Sequence, residues 1–277
     1  MILALQYSEG DLARSMALAR LLTDIEPTRR DDVLLALVTD TSTSYTHDAG
    51  EIARYCETKF SVLHVTLRRA VRGWPEGPNH LWAGTMTTFS ELAKEGEIKQ
   101  RSIFTLDGGD GVPLHQNWID LTLEEHARTR SLGLFVSATP GIDTINRDHV
   151  QGNMVLDLAA WDKVPSLHFC PADDGWDCFH TPVLTPHTSL SSLVKNDWRS
   201  TVFDSSLFGS HARQHIWWHG HKCPEFCARA REYLLGNPSR IGVKPVLQRW
   251  RSFAQYRAQL LGERRYCGRS WQDFLTK

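Results

Sequence analysis

Six apolar residues stand in unbroken succession, Val33-Leu34-Leu35-Ala36-Leu37-Val38, bounded by Asp31-Asp32 and by Thr39-Asp40. A strand with one face in water alternates apolar and polar side chains. A strand with no polar position has to be covered on both faces, and such sheets are mainly parallel and clothed by helices. The neighbouring sequence repeats that alternation. Ile2 to Gln6 is a short apolar run, and Leu12, Met16, Leu18, Leu21 and Leu22 follow broadly at helical spacing. A second helix is expected over Asp48 to Thr58, a strand over Phe60 to Val65, a helix over Leu81 to Lys94 and a strand over Ser102 to Leu106. Repeated strand and helix alternation gives the fold class: α/β, with a mainly parallel sheet flanked by helices.

Further strands are expected at Leu132 to Ser137 and Ile216 to Trp218, a helix at Pro224 to Leu235, and a last helix from Val246 through Leu260. With 277 residues, 41% of them hydrophobic, the chain can build one large α/β domain with an appendage. We expect a body over residues 1–225 and a basic helical C-terminal extension over residues 226–277. No stretch approaches the about 20 consecutive apolar residues of a membrane span. The start, Met1 to Met16, has neither a basic leader nor a small-residue cleavage site. The expectation is a cytoplasmic protein (host cytoplasm if viral) with no membrane partner. The six cysteines lack the density of a secreted disulfide scaffold, so free thiols are expected.

Charge is divided unevenly along the chain. Residues 211–277 carry +9 and residues 1–210 carry −10, within a total of −1. Such a tail either meets a polyanion or packs on the acidic body of its own chain. Within it Arg249, Arg251 and Arg257 interleave with Trp250, Phe253 and Tyr256, and Arg264 and Arg265 follow. That pattern suits phosphate contacts and base stacking.

The segment most informative about chemistry is Phe104-Thr105-Leu106-Asp107-Gly108-Gly109-Asp110-Gly111-Val112-Pro113, where an expected strand runs into two carboxylates on a glycine-rich turn. Carboxylates at the carboxyl end of a sheet strand sit where open α/β sheets bind ligands. Such a turn can hold a hard divalent ion while its backbone lets a diphosphate approach, or it can be a turn built from Asp and Gly for conformation alone.

Thr105 to Pro113 resembles the metal motif of GT-A glycosyltransferases, an Asp-x-Asp at the end of a central strand, here spaced Asp-x-x-Asp. The resemblance implies a metal-dependent transferase with a nucleotide-sugar donor, a UDP-sugar, and Mn²⁺ or Mg²⁺ as cofactor. It makes Asp110 a metal ligand, with Asp107 facing the ribose or sugar or acting through water. Ile216-Trp217-Trp218-His219-Gly220-His221-Lys222 is similar to the late segment of that family, which gives His219 to the metal and Lys222 to the diphosphate. Gly152-Asn153 would line the acceptor side, and Asp177, beside the aromatic Trp176, would be the catalytic base. Gln6, Tyr7 and Asp40 fall where the family binds the nucleotide base and ribose, and Arg72 and Asn79 where it meets the diphosphate or sugar. With the basic, aromatic tail, the acceptor expected is a 5-hydroxymethylpyrimidine in DNA, as in virus-encoded DNA glycosyltransferases; a saccharide, protein or small molecule is the alternative.

One rival reading stands beside this. His215, His219, His221, Cys223 and Cys227 fall close together and could hold a structural zinc, in which case the chain would be a non-catalytic nucleic-acid-binding protein.

Overall fold

The computed structural model describes residues 1–43, 47–135, 150, 152–191, 194–196, 202–221 and 223–237. The expected helix from Val246 through Leu260, and with it the interleaved tail, lies outside the described residues, as does Lys222. The chain divides into two compact units, Met1–Pro245 and Val246–Lys277.

The first unit opens with the expected alternation. Strand β1 (Ile2–Gln6) leads to helix α1 (Leu12–Ile25), then β2 (Arg30–Asp40), α2 (His47–Cys56), β3 (Phe60–Leu67), α3 (Glu76–Glu95) and β4 (Ser102–Asp107). After β4 the elements shorten: β5 (Gly111–Pro113), α4 (Trp118–Thr129), β6 (Gly133–Phe135), β7 (Val155–Asp157), α5 (Ala159–Lys163), α6 (Trp176–Leu184), β8 (Ser189–Leu190) and β9 (Val194–Asn196). The unit continues with α7 (Ser205–Ala212), β10 (Trp217–His219) and α8 (Pro224–Gly236).

Seven strands form the main sheet in the order β3-β2-β1-β4-β7-β6-β8. The first four are parallel, β7 runs antiparallel to both β4 and β6, and β8 is parallel to β6. The apolar run Val33–Val38 is buried throughout, as a strand flanked on both sides and covered on both faces must be. The sheet is therefore mainly parallel and helix-flanked, with an antiparallel excursion at β7 that comes from residues past the obvious run of alternation.

Two boundaries differ from expectation. Helix α3 begins at Glu76, so it takes in residues 76–80 of a stretch that reads as turn-forming. Pro78 lies within the first turn, where backbone N–H groups have no intrahelical partner to lose, so proline is tolerated there. Strand β5 belongs to a second, three-stranded sheet in the order β5-β10-β9, in which β10 pairs antiparallel with β5 and parallel with β9.

The chain leaves β1 toward β2 and β3 on one side and returns to β4 on the other, which puts a topological switch between β1 and β4. Open α/β sheets bind ligands outside the carboxyl ends of the strands at such a switch. Gln6 and Asp107 are register partners there, each the last residue of its strand.

Candidate active site

The turn after β4 is built by its glycines and by α1. Gly108 and Gly109 adopt φ of 55° and 67°, a region that side chains disfavour. A Cβ on Gly109 would lie 2.8 Å from the Ser15 backbone nitrogen, so only glycine lets the turn settle on the first turn of α1. Arg14, in that helix, donates from Nε to the Gly108 carbonyl (2.9 Å) and pairs with Asp11. Sequence reading missed Arg14, because a single arginine in an amphipathic helix carries no signal of what it holds.

This turn delivers Asp110 to the start of β5, and β10 lies alongside in antiparallel register, with His219 opposite Gly111. Asp110 and His219 thereby meet: His219 Nε2 is 3.2 Å from Asp110 Oδ1, and both residues are buried. The Asp110 backbone carbonyl accepts from the amides of Gly220 (3.0 Å) and His221 (3.2 Å), fixing the pair independently of its side chains. Asn153 donates from Nδ2 to Asp110 Oδ1 (3.4 Å), while its buried Oδ1 has no hydrogen-bond partner. His221 is stacked on Phe226 at 4.5 Å, and burial pushes its imidazole down to about 4, so it is neutral at pH 7.

A carboxylate, an imidazole and an orphaned amide oxygen in one buried place form a donor set that fits a hard divalent cation. Among the described residues, no group of three or more His, Cys, Asp or Glu side chains is placed to hold a metal. Ions of this type are commonly bound through one or two protein carboxylates, with substrate phosphates and water completing the shell. The zinc arrangement is not assembled among these residues either. Cys227 is wholly buried with its thiol pushed up to about 12 by burial, and Cys223 donates to Glu225 (2.6 Å).

Of the residues expected on the donor side, Gln6, Tyr7, Asp40 and Asp107 fall at the carboxyl ends of β1, β2 and β4, and Arg72 in the loop after β3. Gln6 donates through Nε2 to Thr85 Oγ1 (2.8 Å) and to the Leu81 carbonyl (3.4 Å), which pins the end of β1 to α3. Tyr7 is buried beside it, its amide bonded to the Val38 carbonyl at 3.0 Å. Asp40 accepts from the amides of Ser42 (2.8 Å) and Val71 (2.9 Å) and from the Ser42 hydroxyl. Burial opposes the charge on Asp40, but these bonds outweigh it and hold the carboxyl below its ordinary range. Arg72 is exposed just beyond Val71. Asp107 closes β4 half-buried, its carbonyl accepting from the Asp110 amide at 3.2 Å.

Asn79 joins two segments that the sequence keeps far apart. Its Nδ2 donates to the carbonyls of Pro171 (2.8 Å) and Asp174 (2.9 Å), and its Oδ1 accepts from the Trp176 amide (2.6 Å). The clamp sets the 171–176 loop on the first turn of α3. Trp176 is buried and stacked on Trp82 at 4.3 Å, so it is a core residue and not the aromatic wall expected beside Asp177. The exposed indole here is Trp74, 65% accessible. A Cβ on Gly175 would lie 3.8 Å from Trp74 Nε1 and 2.7 Å from Asp177 Oδ1, so indole and carboxylate flank the same glycine.

Asp177 sits in the first turn of α6, where its Oδ1 accepts from the Cys178 amide (2.9 Å). One turn on, Thr181 donates to the Asp177 carbonyl (2.6 Å), and its hydroxyl accepts from the Val150 amide (2.7 Å). Val150 is three residues from Asn153, a span of at most about 11 Å even when extended.

No protein-family model matches the chain, and no curated protein matches it in sequence. Solved structures do resemble it. Staphylococcus aureus TarS residues 1–349 in complex with UDP superposes with a TM-score of 0.51 at 10% identity, covering 97% of this chain and 72% of that one. The galactosyltransferase LgtC in complex with donor and acceptor sugar analogues gives 0.47 at 12% identity, over 91% of this chain and 100% of the other. Mouse xyloside xylosyltransferase 1 in its apo form gives 0.45 at 12% identity, over 79% and 96%. The likeness to TarS is one of fold: the chain has the GT-A type of α/β architecture, with its switch point between β1 and β4.

Proposed function

We propose that this protein is a nucleotide-sugar glycosyltransferase that uses a UDP-sugar donor and a divalent cation. The observation that carries the reading is the buried pairing of Asp110 with His219 beside the switch point of the sheet. The UDP bound in the structurally similar TarS supports uridine as the nucleotide. Mn²⁺ or Mg²⁺ would be held by Asp110 and His219 with the Asn153 amide oxygen, and when bound it offsets the charge that develops on the departing diphosphate. Arg72 adds a guanidinium toward the same phosphates, and Lys222, outside the described residues, is assigned the same task. Asp107 faces the ribose or the sugar. Gln6, Tyr7 and Asp40 shape the nucleotide end, and Asn79 positions the loop that carries the base.

Asp177 takes the proton of the acceptor hydroxyl as that oxygen attacks the anomeric carbon. The acceptor assigned is a 5-hydroxymethylpyrimidine in DNA. Residues 1–225 supply the donor site and chemistry, and the basic tail, with Arg249, Arg251, Arg257, Arg264 and Arg265, helps hold the acceptor.

The experiment is an incubation with a panel of UDP-sugars and Mn²⁺, with and without hydroxymethylated DNA, comparing the parent with Asp177→Asn. Removing a general base costs about 10²–10⁴-fold, so transfer should fall by that factor in the variant while UDP affinity is unchanged. Transfer at the parent's rate by Asp177→Asn contradicts the assignment of the base, and absence of turnover with every donor contradicts the function.

A further inference from the structure

The loop between β3 and α3 carries Arg68, Arg69 and Arg72, all exposed, followed by the exposed Trp74. Its backbone is firmly held. The Val71 amide donates to Asp40 (2.9 Å), His80 Nε2 bonds the Arg69 carbonyl (2.9 Å), and the Gly77 amide donates to the Gly73 carbonyl (2.7 Å). The three guanidinium groups, by contrast, have no carboxylate partner among the described residues. Elsewhere among the described residues Arg14 pairs with Asp11, Arg30 with Asp32 and Asp120, Arg128 with Glu125 and Arg231 with Asp24, while the other arginines without a carboxylate partner, Arg20, Arg101, Arg130 and Arg213, are scattered singly along the sequence. Carboxylates are not scarce, since residues 1–210 carry a net charge of −10. Three unpaired like charges on a rigid loop repel one another, and an arrangement of that kind is relieved when an anion binds.

The donor's diphosphate does not account for the whole cluster. Arg68 and Arg69 follow the end of β3, three strands from β4 in the sheet, and strands about 4.8 Å apart put those ends on the order of 14 Å from each other. A diphosphate at Asp110 spans less than that. With Arg72 assigned to that diphosphate, Arg68 and Arg69 are left for a further, longer chain of phosphates, and a few residues on stands a flat, exposed indole that can take a base.

We propose that Arg68, Arg69 and Trp74 form a strand-binding surface for single-stranded DNA, the arginines on backbone phosphates and the indole against an unpaired base. This rests on the reading of DNA as acceptor, and it suits that reading, because enzymes that do chemistry on a base commonly act on single strands or take the base out of the stack. Trp74 and Asp177 flank Gly175, whose Cβ would lie 3.8 Å from the indole Nε1 and 2.7 Å from the carboxylate Oδ1, so a base on that indole stands beside the proposed catalytic carboxylate.

The test is fluorescence anisotropy of a labelled 20-nucleotide single strand with the full chain, without donor, over a salt series. The parent should bind and weaken steeply with salt. Arg68→Gln with Arg69→Gln should reduce the slope of log affinity against log salt by about 1.4, at about 0.7 per phosphate on single strands. Trp74→Ala should weaken binding at least about fivefold, the low end of what a stacked base contributes. UDP affinity in the presence of Mn²⁺ should not change in either variant. Strand binding equal to the parent's in both variants overturns the proposal. So does a loss of UDP affinity in the double variant, which would place the arginines in the donor site, or inorganic polyphosphate displacing the strand with Trp74→Ala silent, which would make the loop a plain anion patch. A strand that binds as described but receives no sugar upholds the surface and removes DNA as the acceptor.

Discussion

Asp110→Ala is expected to abolish metal-dependent donor binding and sugar transfer in a protein that remains folded. The two roles of this residue separate cleanly. Its backbone carbonyl accepts from Gly220 and His221, and alanine retains that carbonyl. What alanine removes is the buried carboxylate facing His219 and Asn153. Loss of a group that merely supports a metal ligand costs about 10–100-fold in affinity, so loss of the ligand itself should cost at least about 100-fold. Calorimetric titration of UDP at fixed Mn²⁺ reads the loss, and circular dichroism checks the fold. Donor affinity unchanged at the same metal concentration would remove Asp110 from the metal site. Asp107→Ala should be milder, because His219 and Asn153 converge on Asp110.

The largest expected effect on stability comes from the next residue. A Cβ on Gly111 would lie 2.3 Å from Trp217 Nε1 and 2.8 Å from its Cε2. Trp217 cannot give way easily. It is fully buried, with ring centres 5.3 Å from Phe104 and 5.0 Å from Trp118. Overpacking of a closed core costs about 1–3 kcal/mol, and a rigid indole cluster belongs at the upper end. For a domain of this size that lowers the melting temperature of Gly111→Ala by on the order of 10 °C. Activity should fall as well, because Asp110 immediately precedes β5 and His219 ends β10. Gly236→Ala is the control: nothing lies within 4 Å of where its Cβ would stand, so its melting temperature should stay close to the parent's. A Gly111→Ala protein that melts with the parent would mean that the aromatic cluster is looser than its packing indicates.

The first half of the fold is legible in the sequence for a physical reason. Strands covered on both faces leave continuous apolar runs, and Ile2–Leu5, Val33–Val38 and Ile103–Leu106 are such runs, broken only by Thr105, whose buried hydroxyl is bonded to the Gly152 carbonyl. The strands after β4 are two or three residues long, too short for any period to show, and their existence depends on pairing with distant partners. The site divides in the same way. Asp110 could be singled out locally, from glycines and a strand end. That His219 would meet it depends on register between β5 and β10, elements more than a hundred residues apart, which no local pattern encodes; family resemblance supplied it. Which of the two indoles, Trp74 or Trp176, turns inward is not encoded locally: it depends on the Asn79 clamp on the Trp176 amide and on the stack with Trp82.

Calorimetric titration of UDP into the protein with Mn²⁺, and again with chelator, tests the central claim most directly. Affinity that requires the ion, and that disappears together with it in both Asp110→Ala and His219→Ala, is the predicted result. UDP bound equally well under chelation, or bound by those variants as tightly as by the parent, would contradict a metal-dependent nucleotide-sugar site at this pair.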